Sequence, residues 1–394
     1  MRMSFILFFA IFFTVYGWVN VYIFVRGWQS LPPNGSLRPL YLVMFVVLAP
    51  SFIGGRVLEN IWLSPVSETL VWIGAFWLAA MLYFLLALLL VDLSRVANHW
   101  CPLFPSSIRA RYSTAKQVTA VVITGCVLFL LIAGHVNALT PRIKVLHLTV
   151  SKPVNGPDTI NLVAASDIHL GTLIGRRRLD RIVAKINALN PDLVLLPGDI
   201  VDEDLAPVIK QNLGEALTGL KAKWGVFAIT GNHEYIGGVE EACAYLSDHG
   251  VTVLRDAVLR LPNDVYLVGR EDRSIRRFTG KARKPLQELM AEVDKNHPVV
   301  LMDHQPFELE EGETNGADLQ ISGHTHHGQL WPMNFITRRV YELRWGYKKK
   351  NNTHVYVSSG LGTWGPPVRL GNRPEIVNIK LSFVGKQGGM NQGN

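Results

Sequence analysis

The stretch DLVLLPGDIVD, residues 192–202, runs apolar from Leu193 to Pro197 and then breaks into Gly198, Asp199 and Asp202. A short apolar run bounded by turn residues reads as a strand covered on both faces. Four further runs end in the same manner. NLVAAS stops at Asp167-Ile168-His169, GVFAIT at Gly231-Asn232-His233-Glu234, VVLM at Asp303-His304-Gln305-Pro306, and DLQIS at Gly323-His324-Thr325-His326-His327. Five strands thus deliver Asp, Asn or His at their carboxyl ends. In open α/β sheets that edge is where ligands bind.

Working outward, KVLHLTV (144–150) alternates with period two and places Leu146, Leu148 and Val150 on one face. TINLVAAS and HVYVSS read as further strands. Leu179, Ile182, Val183, Ile186 and Leu189 carry helical spacing over 176–189, which stops before Asn190-Pro191. Strands alternating with helices predict an α/β domain over residues 143–384. The Gly/Gln/Asn tail at 385–394 is expected to be disordered.

The first 140 residues differ in kind. A transmembrane helix needs about 20 mainly apolar residues, and the stretches 4–25, 69–91 and 118–139 satisfy this. A fourth span is expected at 40–58, interrupted by Pro50, with Arg56 snorkelling to the interface. Residues 26–39 hold Arg26 and Arg38, and residues 93–117 hold Arg95, Arg109, Arg111 and Lys116; Arg2 and Arg56 lie on the other side. The positive-inside rule then places the first set in the cytoplasm. With four spans the large C-terminal domain faces outward, in a multi-pass membrane protein.

Of the net charge of +8, the first 140 residues carry +5, with only Glu59, Glu68 and Asp92 as acids. The basic excess therefore lies beside apolar segments and gives little support to nucleic-acid binding. Cys101, Cys126 and Cys243 form no C-x-x-C, so neither a disulfide framework nor a thiolate metal site is indicated.

The chemistry follows from donor type. D-x-H and H-x-H place two donors on one side of an extended backbone, and the glycines before Asp199, Asn232 and His324 suit close backbone approach. Carboxylate, amide oxygen and imidazole without thiolate favour Mn, Fe, Zn, Ni or Co. Seven such groups exceed the shell of a single zinc, and would serve two metals sharing a carboxylate.

Here the sequence resembles the calcineurin-like metallophosphoesterases, whose signature D-x-H, G-D-x-x-D, G-N-H-[DE], H and G-H-x-H is present in that order over roughly residues 158–382. The tail VYVSSGLGTWGPPVRLGNRPEIVNI resembles the membrane-linked bacterial branch of that family. The resemblance implies a two-layered β-sandwich flanked by helices, with two divalent transition-metal ions. It implies that Asp167, His169 and His326 hold one metal, that Asn232, His304 and His324 hold the other, and that Asp199 bridges them. It gives His233 the protonation of the leaving oxygen or stabilisation of the transition state, with Asp202 orienting the site's neighbours. His327 departs from the Gly usual in this branch and, by the same alternation, points away from the metals.

Bland readings suit the other candidates. His147, His249 and His354 are expected to be structural or surface residues, and Arg176-Arg177-Arg178 a solvated helix face. Arg276-Arg277, Arg338-Arg339 and Lys348-Lys349-Lys350, interleaved with aromatics, suit an anionic lipid surface. Arg369 and Arg373 match basic positions of the family tail without a role. The expected function is a membrane-anchored, metal-dependent hydrolase that uses metal-activated water. Its expected substrate is a phosphomonoester, phosphodiester or pyrophosphate linkage, lipid-linked or of the envelope. A nuclease or nucleotide phosphodiesterase, and a non-catalytic membrane sensor or scaffold, are the alternatives.

Overall fold

The computed structural model describes residues 2–385, so the tail expected to be disordered lies outside the described residues apart from Gly385. The chain forms two compact units. One comprises the chain up to His135 with Gly365–Val368; the other comprises Val136–Trp364 with the chain from Arg369 on.

The first unit is built from α1 (Arg2–Ser30), α2 (Leu37–Leu48), α3 (Ser51–Ile61), α4 (Pro65–Trp100), a short α5 (Ser106–Ala110) and most of α6 (Tyr112–Ala138). Ala10–Ser30, Pro65–Trp100 and Tyr112–Ala138 are each long and apolar enough to cross a membrane. α2 and α3 meet that test only together, bent by 45°, at the break that holds Pro50, which cannot donate to the helical ladder. Counted as one broken span, they bring the total to four. Arg56, expected to snorkel, pairs within its helix: its Nη1 lies 3.0 Å from Oε2 of the buried Glu59 one turn on. Arg26 and Arg95 both pair with Asp92, and Lys116 Nζ donates to the Gln29 carbonyl at 3.1 Å. Three of the six basic groups assigned to one side, Arg26, Arg95 and Lys116, are thus engaged by side-chain or carbonyl partners within this bundle.

Among the described residues the second unit contains twelve strands. These are β1 (Arg142–Val150), β2 (Thr159–Ala164), β3 (Leu193–Pro197), β4 (Val226–Ile229), β5 (Val251–Val253) and β6 (Ala257–Arg260). They continue with β7 (Tyr266–Gly269), β8 (Val299–Met302), β9 (Leu319–Ser322), β10 (Gly346–Lys350), β11 (Thr353–Val357) and β12 (Glu375–Phe383). One six-stranded sheet has the order β1-β12-β2-β3-β4-β5, the other β10-β11-β9-β8-β7-β6. β2 to β5 run parallel, as do β7, β8, β9 and β11. β12 is laid between β1 (parallel) and β2 (antiparallel).

A single apolar core joins the sheets: Leu162, Leu195 and Ile229 on one side, Leu267, Met302, Ile321 and Tyr356 on the other, all buried. On the outside, α7 (Arg176–Asn187) buries Leu179, Ile182, Val183 and Ile186, each contributing roughly 1.5–3 kcal/mol when removed from water. Leu286, Leu289 and Met290 pack with Tyr266, Val268 and Leu301 on the outer face of the second sheet. The architecture is the expected β-sandwich flanked by helices. Arg178 is not a freely solvated side chain: its Nη2 donates to the Ala138 carbonyl at 2.9 Å, and burial pushes its pKa down to about 10.

Candidate metal centre

The loops after β2, β3, β4, β8 and β9 meet. Asp167 N donates to Gly198 O and His169 N to Asp199 O, both at 3.1 Å, so the first two loops run zipped together. Beyond β4 the chain turns directly into a helix, Asn232–Gly237, whose His233 N donates to Asp199 Oδ1 at 2.9 Å. A Cβ at position 231 would run into that same oxygen, so only glycine lets the turn close.

The backbone differs from the extended form expected for D-x-H and H-x-H. Asp167, His169, Asp199, His324 and His326 all have φ between 46° and 69°, the left-handed region that non-glycine residues enter at a cost of order 1–3 kcal/mol. The donors of each pair converge through these bends rather than through strand alternation.

Three donor groups result: Asp167, His169 and His326; His169, Asp199 and His233; and Asp199, His304 and His324, with the atoms of each group within 4.8 Å of one another. His169 Nε2 lies 3.0 Å from His326 Nε2 and 3.9 Å from Asp199 Oδ2. His304 Nδ1 bonds the Pro197 carbonyl at 2.8 Å, which turns Nε2 toward Asp199 Oδ2 at 3.1 Å. Asp167 Oδ2 and Asn232 Oδ1 are enclosed acceptors with no hydrogen-bond partner. Buried acceptors without donors are costly, and a cation would supply what they lack. The residues fit a divalent transition metal.

Charge is polarised accordingly. Burial would lift the Asp199 carboxyl, but His304 and His233 hold it well below the usual range. Burial raises Asp167 against the pull of His304. His304 rises well above its ordinary value because Asp199 overcomes the effect of burial. Burial, reinforced by His304, pushes His324 down to about 3. His233 rises to about 9, with Asp199 and Asp202 outweighing burial; its Nδ1 lies 3.3 Å from Asp202 Oδ1.

Other candidates fall elsewhere. Asp303 is neutralised by Arg270 and Arg283, each at 2.9 Å. His354 bonds Tyr347 and the Thr149 carbonyl. His327 stacks on Trp345, centroids 4.9 Å apart and planes at 14°, outside the three donor groups. Its φ of 48° replaces the alternation by which it was expected to point away. Two residues gain roles that the sequence reading did not assign. Glu234 is buried and accepts backbone N–H groups around Asp199. Arg369, fully buried, donates to the carbonyls of Ser359, Gly360 and Gly362, and its Nη2 lies 3.2 Å from His326 Nδ1. The letters G-N-H-E and V-R-L were visible; their contacts were not. Trp364 stands half exposed, its ring 5.8 Å from that of His233.

The domain is a two-sheet sandwich with a nest of imidazoles and carboxylates at its strand ends that could hold metal ions, here following helices apolar enough to cross a membrane. Residues 160–328 match the calcineurin-like phosphoesterase family. A transmembrane protein with metallophosphoesterase domain from Danio rerio is 32% identical over 282 residues, covering 68% of this chain and 63% of that protein. An uncharacterised metallophosphoesterase of Helicobacter pylori is 32% identical over 56% of this chain and 60% of its own length. Another, from Campylobacter jejuni, is 31% identical over 64% of this chain and 67% of its own. The chain belongs to the calcineurin-like metallophosphoesterases. It spans less than two thirds of the length of the first two of these relatives.

Proposed function

We propose that the chain is a membrane-anchored phosphoesterase with two divalent transition-metal ions sharing Asp199. In this reading Asp167, His169 and His326 would hold one ion, and Asn232, His304 and His324 would hold the other. The observation that carries it is the chain of donors from Asp167 through His169 and Asp199 to His304 and His324, closed by enclosed acceptors without partners. When bound, such a pair neutralises phosphate charge, aligns the ester for in-line displacement and lowers the pKa of water.

The protein's own groups supply the rest. His233, held against Asp202, carries the proton for the leaving oxygen. Asp202 keeps that imidazole oriented and favours its charged form. Glu234 and Arg369 fix the loops, so the donors are in place before substrate arrives. The substrate is a phosphomonoester, phosphodiester or pyrophosphate linkage of a lipid-linked or envelope molecule, and apolar spanning helices in the same chain support that choice. The protein resides in a bacterial inner membrane with this domain outside the cytoplasm, as the basic groups gathered around Asp92 favour.

Purified protein with Mn²⁺ is expected to hydrolyse a bis-aryl phosphate, and Asp199→Asn is expected to abolish the activity. Equal turnover by the variant, with contaminating phosphatases excluded, overturns the reading. A reporter fused after Asn394 decides the side of the membrane.

A further inference from the structure

We propose that Trp331 and the helix Asn334–Val340 form an anchor that docks the phosphoesterase domain onto an anionic bilayer surface beside the metal centre. The helix, NFITRRV, is inside out. Its polar residues Asn334 and Thr337 are half-buried, whereas Phe335, Ile336 and Val340 are 56%, 56% and 53% exposed. At about 100° per residue, these three apolar side chains fall on one arc, with Arg339 between them and Arg338 beside them; both arginines are exposed. Trp331, half exposed, precedes the helix. Single exposed apolar residues are ordinary on protein surfaces; four in ten residues, with Asn334 and Thr337 half-buried instead, suit an apolar partner.

Charge selects that partner. Tryptophan, phenylalanine and aliphatic side chains mixed with arginine suit the headgroup–acyl boundary of an anionic bilayer. Only residues 139–141 separate α6 from β1, so the domain is tethered by a short leash to a helix apolar enough to span that bilayer.

The anchor is also next to the site. Gly328 lies two residues beyond His326 of the H-x-H turn, and a Cβ there would run into Asn334 N, so the helix begins against the end of that turn. Gln329 then exchanges two hydrogen bonds with the backbone of Trp364, at 2.9 and 3.0 Å, and Trp364 lies beside His233. Docking would therefore turn the mouth of the centre toward headgroups. That last step rests on the phosphoesterase reading; the docking itself does not.

The test uses the full chain in liposomes. In a Cys101→Ser, Cys126→Ser background, with Cys243 buried, an environment-sensitive fluorophore is attached at Ile336→Cys and, as a control, at the exposed Asn296→Cys. The label at 336 is expected to shift to the blue and to be quenched by spin-labelled lipid in phosphatidylglycerol-containing vesicles, while the label at 296 stays unchanged. Arg338→Gln and Arg339→Gln are expected to weaken docking by about fivefold each. Equal quenching at both positions overturns the proposal. So does a shift at 336 in lipid-free detergent that grows with protein concentration, which would make this face an interface between copies. A second arm compares Phe335→Ser/Ile336→Ser with wild type on a bilayer-embedded phosphate ester and on a soluble aryl phosphate; selective loss of the first is expected. A chain that docks but hydrolyses neither keeps the anchor and sinks the phosphoesterase reading.

Discussion

Glu234 Oε2 accepts the backbone N–H of Asp199 at 3.1 Å, 35 residues back in the chain. The same oxygen takes Gly231 N at 2.7 Å, while Oε1 takes Ile200 N at 2.7 Å and Val201 N at 2.9 Å. One carboxylate thus gathers four donors from two strand-end loops and fixes the bend that presents Asp199. Its negative charge is consumed by the backbone rather than offered to the centre.

Glu234→Gln keeps the shape but presents an amide N–H₂ to two of those N–H groups. Unpaired buried donors cost about 1–3 kcal/mol each, so thermal unfolding is expected roughly 4–8 °C lower for a loss of about 2 kcal/mol in a domain of this size. Bound Mn²⁺, read by elemental analysis, should fall with it. An unchanged melting temperature and full metal content would remove Glu234 from this role.

His233 is placed to give a proton, and proton donation matters only when the leaving oxygen needs one. His233→Asn is therefore expected to slow hydrolysis of alkyl phosphate esters by about 10²–10⁴. Nitrophenyl esters, whose leaving group departs as a stable anion, should be affected far less. Equal losses on both would assign His233 to binding rather than protonation.

The legible parts of this fold are those with local causes. β3, β4, β8 and β9 are buried throughout, so each shows as an apolar run, and the polar residues at its end stand out. In sequence β10 shows only as a basic cluster, because Lys348 to Lys350 hide an edge strand, where lysine guards against further pairing. β12 is a strand only because β1 and β2 flank it, more than 200 residues earlier. Nothing local announces the left-handed backbone at Asp167 and His169; the bends exist because loops from both sheets impose them. The same holds for Glu234 and Arg369, whose partners lie far away in the sequence.

His327, stacked on Trp345, shares that indole with Arg142, whose guanidinium carbon lies 4.8 Å from the ring centroid. Burial, aided by Arg344, pushes its pKa down to about 4. The folded-state value is thus below the unfolded value of about 6.5, so the neutral stack stabilises fully above that pH and its contribution is lost as pH falls toward 4. With metal chelated in both proteins, His327→Gln should show a smaller drop in melting temperature from pH 7 to pH 5 than wild type. An identical drop would mean that His327 does not titrate across this range.

Arg369 tests how far the centre depends on residues that touch no substrate. Its guanidinium reaches the carbonyls of Ser359, Gly360 and Gly362, and that loop returns Leu361 N to Ser166 O and Gly362 N to Asp167 O, both at 2.8 Å. The backbone of Asp167 is therefore held at one remove by Arg369, at the cost of a cation whose pKa burial drags down to about 9. Lysine carries its donors on a single nitrogen and cannot span those carbonyls. Arg369→Lys is expected to cost about 3 kcal/mol and to weaken Mn²⁺ binding by roughly 10–100-fold, measured by titration at a temperature where the variant is still folded. Loss of stability with unchanged metal affinity would make Arg369 a strut of the loop alone; loss of both ties the loop to the geometry of Asp167.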